Sequence, residues 1–227
     1  RSFEDKSFTY RNDTFAYISK FKVFDQECEG CDALVQFFPG GYVSGNRFDH
    51  APLMQYLSLS YNVQPWSIEY RLLDEGSSYD EMVSDARAAM IYLRARLSNE
   101  RKIVVLGSSA GGDLALRVGD LVDGLILDSS PYCVTSPKQF TAFYAQLYSQ
   151  INELILASSS YVCNTDPKTP AFVAHGEDDN VVLVGSAKEY ARLYPSKVTA
   201  CFAQEGVHVA PFSSECIESL EAWIDAT

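Results

Sequence analysis

Residues 103–116 read Ile-Val-Val-Leu-Gly-Ser-Ser-Ala-Gly-Gly-Asp-Leu-Ala-Leu and constrain the fold more than any other part of the chain. The first four residues form an unbroken apolar run, which is typical of a strand buried on both faces of a parallel sheet. The last residues favour a helix, and only a glycine-rich turn separates the two. We therefore predict a strand that ends at Gly107 and passes directly into a helix that begins near Ala110.

Similar apolar runs alternate with helix-period segments along the rest of the chain, which predicts an α/β fold with a mostly parallel sheet. In residues 80–97, apolar side chains recur at spacings of three and four, and Ser78 can cap the start of this helix. The predicted strands are 15–24, 33–38, 63–70, 103–107, 124–127, 171–175 and 198–203. The predicted helices are 48–59, 80–97, 110–122, 186–194 and 215–224. This order predicts a doubly wound sheet with helices on both faces and a site at the carboxyl ends of its strands.

The length of 227 residues and the hydrophobic content of 47% suit one folded domain, so we predict a single domain over residues 1–227. One stretch interrupts the alternation, between the strands predicted at 124–127 and 171–175. A connection of this length inside a compact domain is usually functional. We predict that residues 131–168 form a small lid insertion.

The formal net charge of −12 argues against nucleic acid or an anionic membrane as a partner. No apolar run approaches the ~20 residues of a membrane span, and no signal peptide is visible. We therefore expect no nucleic-acid partner and no membrane span. The compartment, cytoplasmic or secreted, and the oligomeric state stay open at this point.

The six cysteines permit disulfides without requiring them. Cys133 and Cys163 bracket the predicted lid, and a bridge between them would staple its two ends. Cys28 and Cys31 are better interpreted as a pair of loop thiols than as half of a metal site, because the chain has no second Cys-x-x-Cys. No metal site is predicted.

Ser109 is the candidate nucleophile. It is the central residue of Gly-Ser-Ser-Ala-Gly at 107–111, a match to G-x-S-x-G, which places a serine on a sharp turn from strand to helix. The two glycines remove side chains that would collide across that turn, and the N–H of Ala110 can donate to an oxyanion. Ser108 is the competing hydroxyl, but it occupies the variable position. A phosphate-binding loop would need a lysine after the glycines, and none follows.

The three histidines differ in their position relative to this serine. A serine hydroxyl needs a base, and after such a turn the acid and the histidine follow along the chain. His50 precedes the serine, and His175 ends a predicted strand. His208 follows the last predicted strand, where a loop can carry it over the sheet edge, so it is the candidate base. The acid is expected at 177–179, where one glutamate and two aspartates are consecutive and chemistry alone does not choose among them.

Five short segments occur in a fixed order along the chain. They are Phe38-Pro-Gly-Gly-Tyr-Val43, Tyr70-Arg-Leu72, Gly107-Ser-Ser-Ala-Gly-Gly112, His175-Gly-Glu-Asp-Asp179 and Gly206-Val-His208. With these segments the chain resembles the hormone-sensitive-lipase-like and kynurenine-formamidase-like branch of the α/β hydrolases, from about residue 21 onward. The resemblance implies an α/β-hydrolase fold. Its His-Gly-x-x-Asp pattern implies that Asp179 is the acid of a catalytic triad with Ser109 and His208, and Asp178 is the alternative.

The resemblance also implies that the N–H groups of Gly41 and Tyr42 complete an oxyanion hole with Ala110. Two residues depart from the family pattern near this site. Pro39 stands where the family carries a histidine that supports the loop, so the loop must be held differently. Ser108 stands where the family carries an aspartate. Neither departure removes a triad member or an oxyanion donor.

Two structural expectations follow from the same resemblance. The family's N-terminal cap must here be reduced to about residues 1–15. Arg71 and Asp85 form either a structural ion pair beneath the site or a solvated pair at the surface.

The function that the resemblance implies is a serine carboxylesterase that acts on small carboxylic esters. No cofactor is expected, and a small ester is the expected partner. An amidase, formamidase or peptidase is the first alternative, because ester and amide hydrolysis use the same triad. A non-catalytic protein that binds a ligand in the same pocket is the second.

Overall fold

A computed structural model of the chain describes residues 3–11, 14–21, 30–73, 76–133, 149–156, 158, 161–209 and 214–227. Within these ranges, the strands are β1 (Phe3–Arg11), β2 (Thr14–Phe21), β3 (Ala33–Phe37), β4 (Gln64–Ile68), β5 (Ile103–Ser108), β6 (Gly124–Asp128), β7 (Ala171–Gly176) and β8 (Val198–Ala203). The helices are α1 (Ala51–Tyr61), α2 (Tyr79–Arg96), α3 (Ala110–Leu116), α4 (Ser149–Leu156), α5 (Val184–Leu193) and α6 (Ser214–Ala226), with a 3₁₀ turn at Gly119–Leu121.

The strands form one sheet in the order β1-β2-β4-β3-β5-β6-β7-β8. β1 pairs antiparallel with β2, and β2 antiparallel with β4, whereas all pairs from β4 to β8 are parallel. The parallel strands therefore end at one edge of the sheet, and the loops that follow β3, β5, β6, β7 and β8 meet there. Ligands of open α/β sheets bind at this edge.

The side chains of the central strands alternate between two cores. In β3, Val35 and Phe37 pack into one core and Leu34 into the other. Helices α2, α3, α4 and α5 contribute to the first core, and α1 and α6 to the second. Because both faces of the sheet are covered, these strands need apolar side chains at nearly every position, which explains the unbroken runs in the sequence. The predicted α/β sheet with helices on both faces is confirmed.

Two expectations about local structure are wrong. Residues expected to form a reduced cap at about 1–15 include β1, whose partners in β2 run from Phe3↔Phe21 to Arg11↔Thr14. The predicted helix 110–122 ends at Leu116, where the N–H groups of Arg117 and Val118 bond three residues back, to Leu114 and Ala115. Such bonds tighten the last turn of a helix and lead here into the 3₁₀ turn.

Helix α2 begins with a capping box. The hydroxyl of Ser78 accepts from the N–H of Glu81, and the Glu81 carboxylate accepts from the N–H of Ser78 at 2.9 Å. Arg71 binds Asp85, in the same helix, through Nε at 2.9 Å and a terminal guanidinium nitrogen at 2.7 Å. Asp85 is 1% exposed, so Arg71 and Asp85 form a structural ion pair and not a solvated one.

Disulfides join Cys133 to Cys163 and Cys201 to Cys216, and Cys31 is also disulfide-bonded. The first bridge joins the two ends of the segment predicted as a lid. Residues 134–148, 157, 159 and 160 of that segment lie outside the described ranges, so the lid stays a prediction. None of the described helices combines the length and apolar character that a membrane-spanning helix requires.

Candidate active site

Ser109 stands on the turn between β5 and α3, with φ 49° and ψ −122°. Such a conformation is strained for a residue with a side chain, and its N–H is held by the carbonyl of Asp128 at 2.8 Å. A Cβ on Gly107 would come within 2.5 Å of the carbonyl oxygen of Gly111. On Gly111, it would collide with the carbonyl oxygens of Phe37 and Phe38. The glycines of G-x-S-x-G are therefore required by close backbone approach on both sides of the serine.

His208 lies in the loop that follows β8. Its Nε2 is 3.1 Å from Ser109 Oγ, and its Nδ1 is 2.9 Å from Asp179 Oδ2. The loop comes close to the end of β7, because a Cβ on Gly176 would meet the backbone of Gly206. The structure thus brings the three predicted triad residues into one hydrogen-bonded line.

Asp179 is 4% exposed, and both of its carboxylate oxygens accept hydrogen bonds. Its Oδ1 accepts the N–H groups of Val181 and Val182 at 2.8 and 2.9 Å. Its Oδ2 lies 3.1 Å from Nε2 of His175 as well as near His208. Burial alone would raise the pKa of Asp179, but hydrogen bonds from His175, His208 and the N–H of Val181 hold that pKa well below its usual range. Asp179 is therefore ionised wherever the protein is folded at ordinary pH.

His175 supports the acid, a role that the sequence reasoning missed. Its Nε2 lies 2.8 Å from the carbonyl oxygen of Val182 and 3.1 Å from Asp179 Oδ2. Both neighbours are acceptors, so Nε2 carries the proton. The spacing His-Gly-x-x-Asp could have indicated this contact, because a tight turn between the two residues brings the Asp179 carboxylate next to His175. Asp178, the alternative acid, is exposed, and its N–H bonds the carbonyl of Gly206.

The predicted oxyanion loop follows β3. Gly41 and Tyr42 have φ 62° and 70°, and Ala110 is the first residue of α3. In the described ranges, no hydrogen bond engages the N–H of Tyr42 or of Ala110. These two backbone donors are thus available to a further acceptor, as the predicted oxyanion hole requires.

Several contacts hold this loop where the family histidine is replaced by Pro39. The Tyr70 hydroxyl donates to the carbonyl of Phe38 at 2.6 Å, and the two rings stack with centroids 4.0 Å apart. The N–H of Leu73 donates to the carbonyl of Tyr42 at 2.9 Å. The segment after β4 therefore takes over the support that the missing histidine would give.

A buried cluster anchors the side chain of Tyr42. Its hydroxyl donates to Asp113 Oδ2 at 3.1 Å, and that of Tyr79 to the same oxygen at 2.6 Å. Arg117 binds Asp113 Oδ1 at 2.5 Å and the Tyr79 hydroxyl at 2.9 Å. Arg117 also donates to the carbonyl of Val162 at 3.0 Å. The cluster ties the predicted oxyanion loop, α2, α3 and the last residues before Cys163 to one ion pair.

Removing the cation of this cluster is expected to destabilise the protein strongly. Arg117→Met leaves Asp113, which is 0% exposed, as an uncompensated buried charge. Breaking such a pair costs about 3–5 kcal/mol, which we expect to see as a lower urea midpoint with unchanged slope. The matched control is Arg192→Met, which breaks a pair with Glu189 whose side chains are 70% and 50% exposed. Equal midpoints for the two variants would contradict the stabilising role of Arg117.

Across the described ranges, no group of three or more His, Cys, Asp or Glu side chains is arranged to hold a metal ion.

Asp128 and Ser129, at the end of β6, contact the candidate site, because Asp128 binds the N–H of Ser109 and Ser129 binds the N–H of Val209. The sequence reasoning missed them, because nothing local distinguishes them from other polar residues after a buried strand.

Comparison with solved structures shows the fold. The chain is similar to esterase 2 of Thermogutta terrifontis phosphonylated by sarin, at 17% identity and a TM-score of 0.77 over 98% of this chain and 94% of that one. The propionate-bound form of that esterase gives 17% identity and a TM-score of 0.75, with the same coverage. An esterase of Pyrobaculum calidifontis gives 19% identity and a TM-score of 0.71 over 99% of this chain and 84% of that one. The α/β-hydrolase fold is confirmed.

Comparison at the level of sequence gives the family. A search of the curated proteins found no match to the chain. The family model BD-FAE matches residues 25–139, which is just over half of the chain and includes the oxyanion loop and Ser109. The chain belongs to the BD-FAE family.

Proposed function

We propose that this protein is a serine carboxylesterase that cleaves small carboxylic esters through an acyl-enzyme on Ser109. The observation that carries the proposal is the line of hydrogen bonds from Ser109 Oγ to His208 Nε2, at 3.1 Å, and from His208 Nδ1 to Asp179 Oδ2, at 2.9 Å. In this geometry Nδ1 donates to the carboxylate, which leaves Nε2 free to accept the serine proton.

The proposed reaction begins when His208 takes the proton of Ser109 as the serine oxygen attacks the ester carbonyl. Negative charge develops on the carbonyl oxygen among the N–H groups of Gly41, Tyr42 and Ala110, which stabilise it. The imidazolium, held by ionised Asp179, protonates the departing alcohol. Water then attacks the acyl group with His208 as base, and Ser109 is released with its proton.

The named relatives support an ester as substrate. The similar proteins of Thermogutta terrifontis and Pyrobaculum calidifontis are esterases. The Thermogutta esterase has been seen with propionate and with butyrate bound, both of which are short carboxylates. By analogy, we infer a site of similar size here and expect rates to fall from short to long acyl chains.

The test is covalent labelling together with substrate assays. A fluorophosphonate should add one phosphonyl group to the wild type, on the peptide that contains Ser109, and none to Ser109→Ala. Ser67→Ala, which changes a buried serine of β4, should label as the wild type does. Hydrolysis of p-nitrophenyl acetate, butyrate and octanoate, beside formylkynurenine and aminoacyl anilides, gives the substrate class.

The outcomes separate the proposal from its rivals. Labelling with fast acetate and butyrate hydrolysis supports the esterase. Labelling with hydrolysis of amides only would favour an amidase, a formamidase or a peptidase. A wild type that takes no adduct and turns over neither class would favour a non-catalytic binding protein.

A further inference from the structure

Asp128 is a buried carboxylate that the proposed mechanism does not use. It is the last residue of β6 and is 0% exposed. Its backbone carbonyl accepts the N–H of Ser109 at 2.8 Å, and its Oδ2 accepts the hydroxyl of Ser108 at 3.1 Å. Asp128 therefore binds both residues of the turn that presents the nucleophile. The Ser108 hydroxyl also lies 3.4 Å from Nδ1 of His50.

The neighbour of Asp128 connects it to the loop of the proposed base. Ser129 directly follows Asp128 in the chain. Its hydroxyl oxygen accepts the N–H of Val209 at 3.1 Å, and Val209 directly follows His208. Two consecutive residues therefore hold the nucleophile turn and the base loop. Asp128 binds Ser108 and the N–H of Ser109, and Ser129 binds the N–H of Val209.

Three residues of this arrangement have left-handed backbone conformations. Ser109 and Ser129 have φ 49°, and Val209 has φ 57°. A positive φ is a clear outlier for a β-branched residue, and such conformations persist only where their surroundings hold them. The N–H groups of Ser109 and Val209 are held by Asp128 and Ser129. Strain at a proposed active site that is held by the backbone carbonyl of Asp128 and the side chain of Ser129 points to function.

We propose that Asp128 is a positioning residue for the reaction of Ser109. Through Ser108 it fixes the nucleophile turn. Together with Ser129, which holds the base loop, it keeps Ser109 Oγ and His208 Nε2 in hydrogen-bond contact. The role it has in the reaction rests on the proposed function. The geometric part, that Asp128 holds the two side chains together, does not.

Burial and neighbouring groups determine the pKa of Asp128. Burial raises the pKa of Asp128 to about 6, although the hydroxyls of Ser129 and Ser108 and the nearby imidazoles of His208 and His175 act in the opposite direction. Tyr132 also faces it and stays protonated, because burial and Asp128 raise the pKa of that tyrosine. Above about pH 6 the carboxylate is therefore charged and attracts the imidazolium of His208 during the reaction.

The same pKa makes Asp128 unfavourable for stability. Its ordinary value is 3.8, so between pH 3.8 and about 6 the folded protein keeps a proton that the unfolded chain has released. The contribution of Asp128 to the stability of the wild type therefore falls as pH rises through that window. Asparagine cannot ionise, so a variant with asparagine at this position does not lose this stability. If Asp128 served only to stabilise the fold, its replacement would lower the stability of the protein.

The first part of the test is the behaviour of Asp128→Asn and Ser129→Ala. At pH 8 we expect kcat with p-nitrophenyl acetate to fall roughly 10- to 100-fold in each variant with KM little changed, because misplacement of reacting groups acts on the chemical step. The melting temperature of Asp128→Asn should exceed that of the wild type by a margin that grows from pH 4 to 7. The acid side of log kcat/KM against pH should be steeper in the wild type than in Asp128→Asn, because only in the wild type does Asp128 lose its charge as the pH falls. Ser67→Ala is the matched control for loss of a buried hydroxyl and should keep the kcat of the wild type.

The second part is the crystal structures of both variants. We expect the separation of Ser109 Oγ and His208 Nε2 to exceed the 3.1 Å of the wild type, and Val209 to leave its left-handed conformation. An unchanged separation, or an unchanged kcat in both variants of an active enzyme, overturns the proposal. A wild type that takes no phosphonate adduct refutes the proposed function, while the separation in the variant crystals still decides whether Asp128 holds the two side chains together.

Discussion

Ser109→Ala is expected to lower kcat for p-nitrophenyl acetate by about a millionfold, the scale seen when the nucleophile of a serine triad is removed. His208 has no other hydroxyl aligned at its Nε2 within the described residues, since its hydrogen bond there goes to Ser109 Oγ at 3.1 Å. The measurement is the initial rate at saturating ester, corrected for spontaneous hydrolysis. Substrate binding should be little affected, because alanine removes a single oxygen.

Ser108→Ala is the discriminating companion of this experiment. The Ser108 hydroxyl points away from the proposed base and toward Asp128, at 3.1 Å. Its removal should leave phosphonate labelling at Ser109 intact. Because Ser108 lies in the same turn, we expect a loss of rate, but a smaller one than in Ser109→Ala. A variant Ser109→Ala that retains activity, beside a variant Ser108→Ala that loses its label, would reverse the assignment of the nucleophile.

Asp179→Asn is expected to lower kcat by about 10⁴-fold while the protein stays folded. Asparagine keeps the shape of the side chain, but its amide can present an N–H where His208 Nδ1 now donates. The histidine would then adopt the wrong tautomer, with its proton on the nitrogen that must accept from the serine. The measurement is kcat with the acetate ester, with circular dichroism to verify the fold.

The adjacent aspartate provides the matched control for this change. Asp178→Asn makes the same chemical substitution one residue away, at an exposed side chain. Its kcat should equal that of the wild type. If Asp178→Asn had the larger effect, the acid would have to be reassigned to it.

The nucleophile turn could be predicted because its requirements are local. A strand that changes into a helix within one residue forces a left-handed serine, and the backbone then passes too close for side chains at Gly107 and Gly111. All of these constraints act within five consecutive residues. The central strands could be predicted for the same reason, because their apolar side chains cover both faces of the sheet.

The choice between Asp178 and Asp179 could not come from local chemistry, because the two side chains are identical. The structure separates them by burial and by the N–H groups of Val181 and Val182, which converge on Asp179 alone. Only the resemblance to a family pattern anticipated that choice. Its physical basis is the turn geometry after β7.

Asp128 and Ser129 were missed because their contacts are remote along the chain. The bond from Val209 to Ser129 spans 80 residues, and no periodicity of either segment encodes it. β1 was missed for a related reason. Its residues, Phe-Glu-Asp-Lys-Ser-Phe-Thr-Tyr-Arg, lack the apolar runs of the central strands, and its place depends on pairing with β2. Long-range pairing of this kind is visible only in the assembled sheet.

Strand β8 lies at the end of the sheet order and is less buried than the central strands. The proposed nucleophile, Ser109, follows β5 in the middle of the sheet, whereas the proposed base follows β8, whose only strand partner among the described residues is β7. Side chains of β8 are partly exposed at four of six positions, whereas those of β7 are buried throughout. Elements with fewer buried contacts open at lower free energy than the core. Partial opening of this outer unit would move His208 away from Ser109 while the central strands stay paired. We therefore expect the hydrogen bond between the two proposed catalytic residues to be lost before the fold is lost.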